Sequence, residues 1–231
     1  MTLRERAVGL TEIMDDPACD PVRLAATYRR FGAVNRLVSG WGTVYRARLA
    51  PLLRGLGRPA RVLDLGSGGG DLLVRLDRLA TRDGLDVQWT GADPDPRAHE
   101  AALRRPASPR IRFVQSDSTA LLAAGERFDA VVSNHVLHHL SPEALAGFAR
   151  DSLDLATGSV LHADIERGRL AYGLYAAGVL PLAPGTFLHT DGLRSIRRSY
   201  RVDELAAALG DAWRVDRPAP FRVLATGAGR A

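Results

Sequence analysis

A chain of 231 residues, 46% apolar and 25% charged, is long enough to bury one α/β core, and its single cysteine, Cys19, excludes an intrachain disulfide. The net charge is +5, and every basic residue that contributes to it is an arginine. Carboxylates are interleaved with the arginines along most of the chain, as on a solvated surface. The longest uncharged stretch, residues 170–188, approaches the length of a membrane span, but Pro181 and Pro184 argue against a transmembrane helix. The first residues lack the apolar run of a secretory signal, so we expect a cytoplasmic protein.

The N-terminal quarter of the chain has the apolar periodicity of helices. Apolar residues recur at helical spacing over 23–31 and again over 44–53. Gly40 and Gly42 interrupt the pattern between these segments. We therefore expect a helical cap over residues 1–58, ahead of a main domain over residues 59–231.

Short apolar segments then alternate with helical segments. Ser141 suits the N-cap of one helix, with Pro142 at its first position. Such alternation predicts a parallel sheet with helices on both faces. Strands are predicted over 61–65, 87–92, 111–115, 128–133 and 158–163, and helices over 71–80, over 96–104 and from Ser141.

The alternation stops after the fifth strand. Residues 165–198 form an insertion without a strand pattern, and a helix is predicted over 200–209. Two further apolar segments, 213–216 and 221–225, flank an Arg-Pro-Ala-Pro turn that begins at Arg217. These two segments predict a closing antiparallel pair.

A glycine-rich turn follows the first strand and carries the main functional motif. Its pattern is Asp64-x-Gly66-x-Gly68-x-Gly70, and the free N–H groups expected at the start of the next helix would favour a carboxylate or phosphate. A dinucleotide-binding loop would place glycine where Asp71 stands, and a P-loop requires lysine, which the chain does not contain. An acid directly ahead of the glycines suits a ligand with a cationic amino group and no phosphates.

This spacing resembles the first motif of the class I S-adenosylmethionine (SAM)-dependent methyltransferases, and the resemblance covers about residues 58–164. It implies an α/β, Rossmann-like, doubly wound and mostly parallel seven-stranded sheet with a C-terminal antiparallel hairpin. The cap over 1–58 and the insertion over about 165–198 would cover the site. SAM is the implied cofactor, and no metal ion is expected.

Several positions match the cofactor contacts of this family. Arg36, or alternatively Arg29, is expected to pair with the SAM carboxylate. An aspartate after a strand also commonly caps the next helix, so that alternative stays open. The matching positions are Asp64, Gly66, Ser67 and Gly68 at the methionyl part, Asp93 and Pro94 at the ribose and adenine, Asp117 and Ser118 at the adenine amine, and Asn134 along the methionine.

Histidines supply candidates for a general base. Methyl transfer from a sulfonium is an in-line displacement, and a base is needed only when the acceptor must lose a proton, as a phenol with a pKa of about 10 must. The candidates are His135 and His139 with the neighbouring His138, in a segment resembling ubiquinone/menaquinone-type and hydroxyquinone methyltransferases, and His189, two residues before Asp191. The alternative is that these histidines cap or pack local structure.

The insertion predicts the character of the acceptor. It is rich in apolar and aromatic residues such as Tyr172, Tyr175 and Phe187, which suit a small apolar or aromatic molecule. The same residues would also suit a homodimer contact or a satellite core. The segment 34–41 is similar to methyltransferases of quinone and polyketide tailoring in secondary metabolism. Together these features favour O-methylation of a phenol or hydroxyquinone-like metabolite.

Three other functions are compatible with parts of the sequence. A nucleic-acid (RNA) methyltransferase would use the same core, and the arginines of 194–201 form a basic cluster, but the fourth strand ends in Ser133-Asn134 rather than the proline motif that grips an extruded base. A non-catalytic SAM-fold binding protein would show degenerate motifs, which are not seen here. An NAD-linked oxidoreductase is disfavoured by Asp71.

Overall fold

The structure, a computed structural model, describes residues 3–230, and within them one seven-stranded sheet has the order β3-β2-β1-β4-β5-β7-β6. The first five strands pair in parallel, and β7 pairs antiparallel with both β5 and β6. The predicted doubly wound sheet with an antiparallel C-terminal pair is confirmed. The strands are β1 (Ala60–Leu65), β2 (Val87–Asp93), β3 (Ile111–Gln115), β4 (Phe128–Asn134), β5 (Ala156–Ile165), β6 (Trp213–Asp216) and β7 (Arg222–Ala228).

Helices begin where the sequence provides caps. Asp20 accepts hydrogen bonds from the N–H groups of Val22 and Arg23, and Ser141 accepts one from Ala144, as predicted for that serine. The helices are α1 (Pro21–Val38), α2 (Trp41–Val44), α3 (Ala50–Gly55), α4 (Asp71–Arg82), α5 (Pro96–Leu103), α6 (Ser118–Ala123), α7 (Pro142–Leu155), α8 (Arg169–Gly178), α9 (Leu188–Arg198) and α10 (Val202–Leu209). A π-helical stretch, Tyr45–Leu49, joins α2 to α3.

Both faces of the sheet are buried under helices. One core cluster contains Trp41 and Trp89, and the other contains Phe128 and Trp213. Successive residues of β1 alternate between the two clusters, because side chains of a strand point to opposite faces of the sheet. This two-sided burial explains why the predicted strands are continuous apolar segments rather than alternating ones.

The N-terminal helix and the insertion after β5 pack against each other. Phe187 shares an apolar cluster with Leu24 and Tyr28 of α1. Its backbone N–H donates to the Thr27 hydroxyl at 2.9 Å. Most of the insertion is helical, as α8 and α9, and with α1 it covers the carboxyl edge of the parallel strands. No helix in the described part of the chain is both long enough and apolar enough to cross a bilayer.

Candidate active site

A cavity of about 860 Å³ opens above the carboxyl ends of β1, β2 and β4. In open α/β sheets this edge is where ligands bind, because the loops after adjacent strands diverge there. One end of the cavity is lined by the glycine-rich loop after β1, and the other by apolar residues of α8 and its surroundings. The N-terminal segment contributes Glu12, Met14 and Asp15 to the wall.

The glycine-rich loop has the left-handed backbone that its sequence predicts. Gly66 has φ +71°, and a Cβ there would lie 2.6 Å from Val136. Gly68 has φ +52°, and a Cβ there would meet nothing within 4 Å, because this residue borders the cavity. Gly66 therefore packs against the protein and leaves no room for a side chain, whereas Gly68 is open to a ligand in the cavity.

Three N–H groups of the loop itself, ahead of the helix start to which the sequence expectation applies, are used by the protein. The N–H groups of Gly66 and Ser67 both donate to the carbonyl of Ala92, at 2.8 and 3.1 Å. The Gly68 N–H donates to Asp93 Oδ2 at 2.8 Å. These bonds tie the loop to the end of β2, so a ligand here meets carboxylates more than amides.

Asp64, Asp71 and Asp93 line this end of the cavity, together with Asp95, which is paired with an arginine. Burial, followed by the charges of Asp71 and Asp93, raises the pKa of Asp64 well above its usual value. Burial also raises the pKa of Asp71 and of Asp93, although Asn35 donates to Asp71 and backbone N–H groups donate to Asp93. A cationic ligand would relieve the repulsion among these groups.

Two buried oxygens at the same place lack partners. Asp64 Oδ1 and Asn134 Oδ1 have no hydrogen-bond partner among residues 3–230. Unpaired buried acceptors are costly, so such a pair indicates a missing donor. An ammonium group fits both the charge and the acceptors, and the methionyl amino group of SAM is of that chemistry.

Some residues predicted to contact the cofactor lie elsewhere. Asp117 accepts the N–H of Ala120 at 2.8 Å as the N-cap of α6, and Ser118 donates to Asp151 at 2.7 Å. Arg36 is exposed on α1. None of these three predicted contacts lines the cavity, whereas Asn35, beside Arg36, does.

His135 directly follows β4 and adopts a left-handed backbone with φ +62°. Its Nε2 lies 2.9 Å from Nη1 of Arg222. A guanidinium only donates, so Nε2 of His135 is the acceptor. Burial and the charge of Arg222 lower the pKa of His135 well below its usual value. The imidazole is therefore neutral, and its Nε2 lone pair is engaged.

His138 is the centre of a buried polar cluster. Its Nδ1 lies 2.7 Å from Asp164 Oδ1, and its Nε2 lies 3.2 Å from Glu12 Oε1. Burial alone would lower its pKa, but the charges and hydrogen bonds of Asp164 and Glu12 raise the pKa of His138 to about 9. The ligand atoms of Glu12, His138 and His139 lie within 4.8 Å of one another. A protonated His138, and Arg198 at 4.0 Å from Glu12, favour an ion-pair network there over a metal site.

His139 and His189 differ in their access to the cavity. His139 lines it, its side chain is 28% exposed, and its Nδ1 lies 3.1 Å from Asp15 Oδ2. His189 lies on α9 outside the cavity lining. Asp191 does not orient His189, because its oxygens accept the N–H groups of Ile13 and Met14, at 2.8 and 3.0 Å.

Comparison with known proteins identifies the family. A family model described as a methyltransferase domain matches residues 62–158. The demethylmenaquinone methyltransferase of Roseiflexus castenholzii is 30% identical over 202 residues, which cover 82% of this chain and 81% of that protein. The chain belongs to the class I SAM-dependent methyltransferases. The family predicted from the glycine motif is thus confirmed.

Further methyltransferases are similar to this chain in sequence or in fold. The ubiquinone biosynthesis O-methyltransferase of Brucella ovis is 33% identical over 156 residues, 66% of this chain. The chain spans only 58% of the length of that relative. Among solved structures, a plantazolicin methyltransferase with S-adenosylhomocysteine (SAH) superposes with a TM-score of 0.62 at 13% identity, over 94% of this chain and 93% of that chain. Human N-acetylserotonin methyltransferase with SAM superposes with 0.62 at 14% identity, over 88% and 55%. These two likenesses show the shared fold.

In this methyltransferase, three charged cavity residues near the histidines were not anticipated from the sequence. Glu12 and Asp15 come from the N-terminal segment, and Arg222 comes from the start of β7. Their neighbours in the chain carry no motif that distinguishes them from surface charges. Only the fold brings them to the histidines after β4.

Proposed function

We propose that this protein binds SAM and transfers its methyl group to an oxygen of a small phenol or hydroxyquinone-like acceptor. The observation that carries the proposal is the set of carboxylates at the open glycine loop, with two buried oxygens that lack donors. That chemistry suits a ligand with an ammonium and a sulfonium group and no phosphate.

The cofactor would be held by residues on three neighbouring strands. Asp64 and Asn134 would accept hydrogen bonds from the ammonium group, and Asp93 would accept hydrogen bonds from the ribose hydroxyls. Asp93 already accepts the N–H groups of Gly68 and Asp95, at 2.8 and 3.0 Å, which fixes its carboxylate while lone pairs remain free. Pro94 lines the cavity beside it and would contact the adenine. Asp117, Ser118 and Arg36 have no part in this proposal because they lie outside the cavity.

SAM supplies an activated methyl group, so the protein has to align the acceptor with it, exclude water and take up the proton that the acceptor loses. We assign the removal of this proton from the acceptor to His139. Its ring lines the cavity, with Nδ1 3.1 Å from Asp15 Oδ2 and Nε2 3.6 Å from Glu12 Oε1. In the tautomer that carries its proton on Nδ1, the Nε2 lone pair can take up the acceptor's proton. His135 is less suited, because Arg222 occupies its Nε2.

The acceptor end of the cavity supports a largely apolar molecule. It is lined by Leu174, Val179, Leu182 and Ile196. Tyr175 also borders it, with its hydroxyl donating to the carbonyl of Leu188 at 2.8 Å. One matched relative is named as a ubiquinone biosynthesis O-methyltransferase and another as a demethylmenaquinone methyltransferase, and a quinone-type acceptor is consistent with this lining.

Calorimetric titration of the purified protein with SAH and, separately, with NADH tests the cofactor. We expect a dissociation constant for SAH on the order of micromolar and no binding of NADH. Binding of NADH alone, or of neither ligand, would contradict the proposal. Transfer of a labelled methyl group to hydroxyquinones would then test the reaction.

A further inference from the structure

Arg222 is a buried cation at the acceptor end of the cavity. It is the first residue of β7, is 5% exposed and lines the cavity. One hydrogen bond, to His135, holds its head, and its Nε has no partner among residues 3–230. Burial lowers the pKa of Arg222 to about 10, which still leaves it charged at neutral pH.

The acidic groups around Arg222 do not neutralise it. Asp164 on β5 is the carboxylate that acts on it most strongly, but that carboxylate bonds to His138 and to the Ile165 N–H. Tyr175 on α8 also faces it, as a neutral phenol whose pKa burial raises. Within the described residues, no ion pair joins Arg222 to a carboxylate. A buried guanidinium with no carboxylate in direct contact is costly, so the fold keeps it at the expense of stability.

The backbone around this arginine is strained in two places. In the described range, His135 and Phe221 are the non-glycine residues with positive φ, at +62° and +61°. One supplies the partner of Arg222, and the other directly precedes Arg222 in the chain. Strain of this kind persists where the surroundings require a particular side-chain position, and it is concentrated at functional sites.

Packing also fixes the stem of the arginine. A Cβ on Gly40 would lie 3.2 Å from Cγ of Arg222 and 3.4 Å from Ala219, so Gly40 leaves just enough room for the side chain. Packing thus holds the aliphatic stem of Arg222, and the hydrogen bond to His135 holds one side of its guanidinium. Its remaining donors are preorganised for a ligand.

The backbone of Arg222 is distant from the cofactor end, because β7 is three positions from β1 in the sheet, which at the usual spacing of about 4.8 Å is roughly 14 Å. Its guanidinium reaches back to His135, directly after β4. The cofactor carboxylates Asp64 and Asp93 are on β1 and β2. The charges that act on Arg222 are those of Asp164 and Tyr175, not those two aspartates.

We propose that Arg222 binds the acceptor oxygen in its negatively charged form, so that the site favours ionisation of bound phenols and enols, with His139 taking up the proton. The identification of this ligand as the methyl acceptor rests on the proposed function. The other source of an anionic oxygen would be the carboxylate of SAM itself, and the experiment separates the two. His135 is a positioning residue here, since it holds the guanidinium.

The test uses 4-nitrophenol and 4-nitroanisole with the SAH-saturated protein. The two probes have nearly the same shape, but only the phenol ionises, and its anion has a distinct absorbance. We expect the phenolate to bind at least about tenfold more tightly than nitroanisole and the pKa of bound nitrophenol to fall by about one unit. Arg222→Gln should abolish both effects, and Arg222→Lys should restore part of them.

Arg217→Gln is the matched control. Arg217 begins the connection from β6 that leads to Arg222, is exposed and pairs with Glu166, outside the cavity. Its variant should behave as wild type. SAH affinity should be unchanged in Arg222→Gln, which also shows that the variant is folded.

Equal binding of the two probes to the wild-type protein would overturn the inference without the need for any variant. A loss of SAH affinity in Arg222→Gln, with the preference for phenolate retained, would also overturn it and assign Arg222 to the cofactor carboxylate. If SAH fails to bind the wild-type protein while Arg222-dependent binding of phenolate persists, the anion site stands and the proposed function fails.

Discussion

His138 and Asp164 form a buried pair in which the carboxylate of Asp164 accepts both the ring Nδ1–H and the backbone N–H of the histidine, at 2.7 and 2.9 Å. Glu12 approaches the other ring nitrogen at 3.2 Å. The pair joins the loop after β4 to β5 and, through Glu12, anchors the N-terminal segment over the cavity. The charge of His138 therefore contributes to how this segment is held.

The free energy of unfolding should depend on pH through His138. Its pKa is about 9 in the folded protein against a reference value of 6.5. The folded state thus binds this proton more tightly, and the stabilisation is complete below pH 6.5 and is lost as the pH rises towards 9. The loss should reach about 3 kcal/mol, measured by urea unfolding. In His138→Gln this part of the slope should vanish, and an unchanged slope would contradict the assignment.

Asp64→Asn should weaken SAM binding at least about tenfold, because it removes the charge facing the ammonium group. Asp117→Asn is the matched control: asparagine caps a helix as well as aspartate does, and Asp117 lies outside the cavity, so SAM affinity should be unchanged. Both affinities can be measured by calorimetry. A loss of affinity at Asp117 would restore the prediction made from the sequence for that residue.

Gly68→Ala should reduce SAH binding at least about tenfold while the protein remains folded, because the new methyl group would point into the cavity. The left-handed backbone should also cost about 1–2 kcal/mol of stability. Gly84→Ala carries the same backbone cost, at φ +70° with open space around it, but lies away from the cavity. Comparable SAH binding by the two variants would show that Gly68 does not face the cofactor.

His139→Ala should lower the rate of methyl transfer to a phenolic acceptor by about 100-fold or more, with little change in SAH affinity. Asp15→Asn should lower it less, because it removes only the group that orients the ring. His189→Ala, outside the cavity, should keep full activity. Unchanged turnover in His139→Ala would leave alignment alone as the source of the rate.

The aspartates after β2 and β3 illustrate why the sequence could predict only part of the site. Asp93 and Asp117 both follow a strand and both match a family position. Asp93 lines the cavity, whereas Asp117 caps α6. β3 is at the edge of the sheet, beyond β2, so its end is farther from the loop after β1. A local sequence pattern carries no information about that distance.

The sequence by itself determined the elements, the parallel sheet, the glycine loop and the family, because periodicity, caps and turn glycines act over a few residues. The tertiary structure alone decided the chemistry around the histidines. Glu12 meets His138 across 126 positions of the chain, and Arg222 meets His135 across 87. Each of these contacts forms between polar or charged groups whose local sequences are ordinary. Only burial of the shared core brings them within hydrogen-bond distance and removes the water that would otherwise screen them.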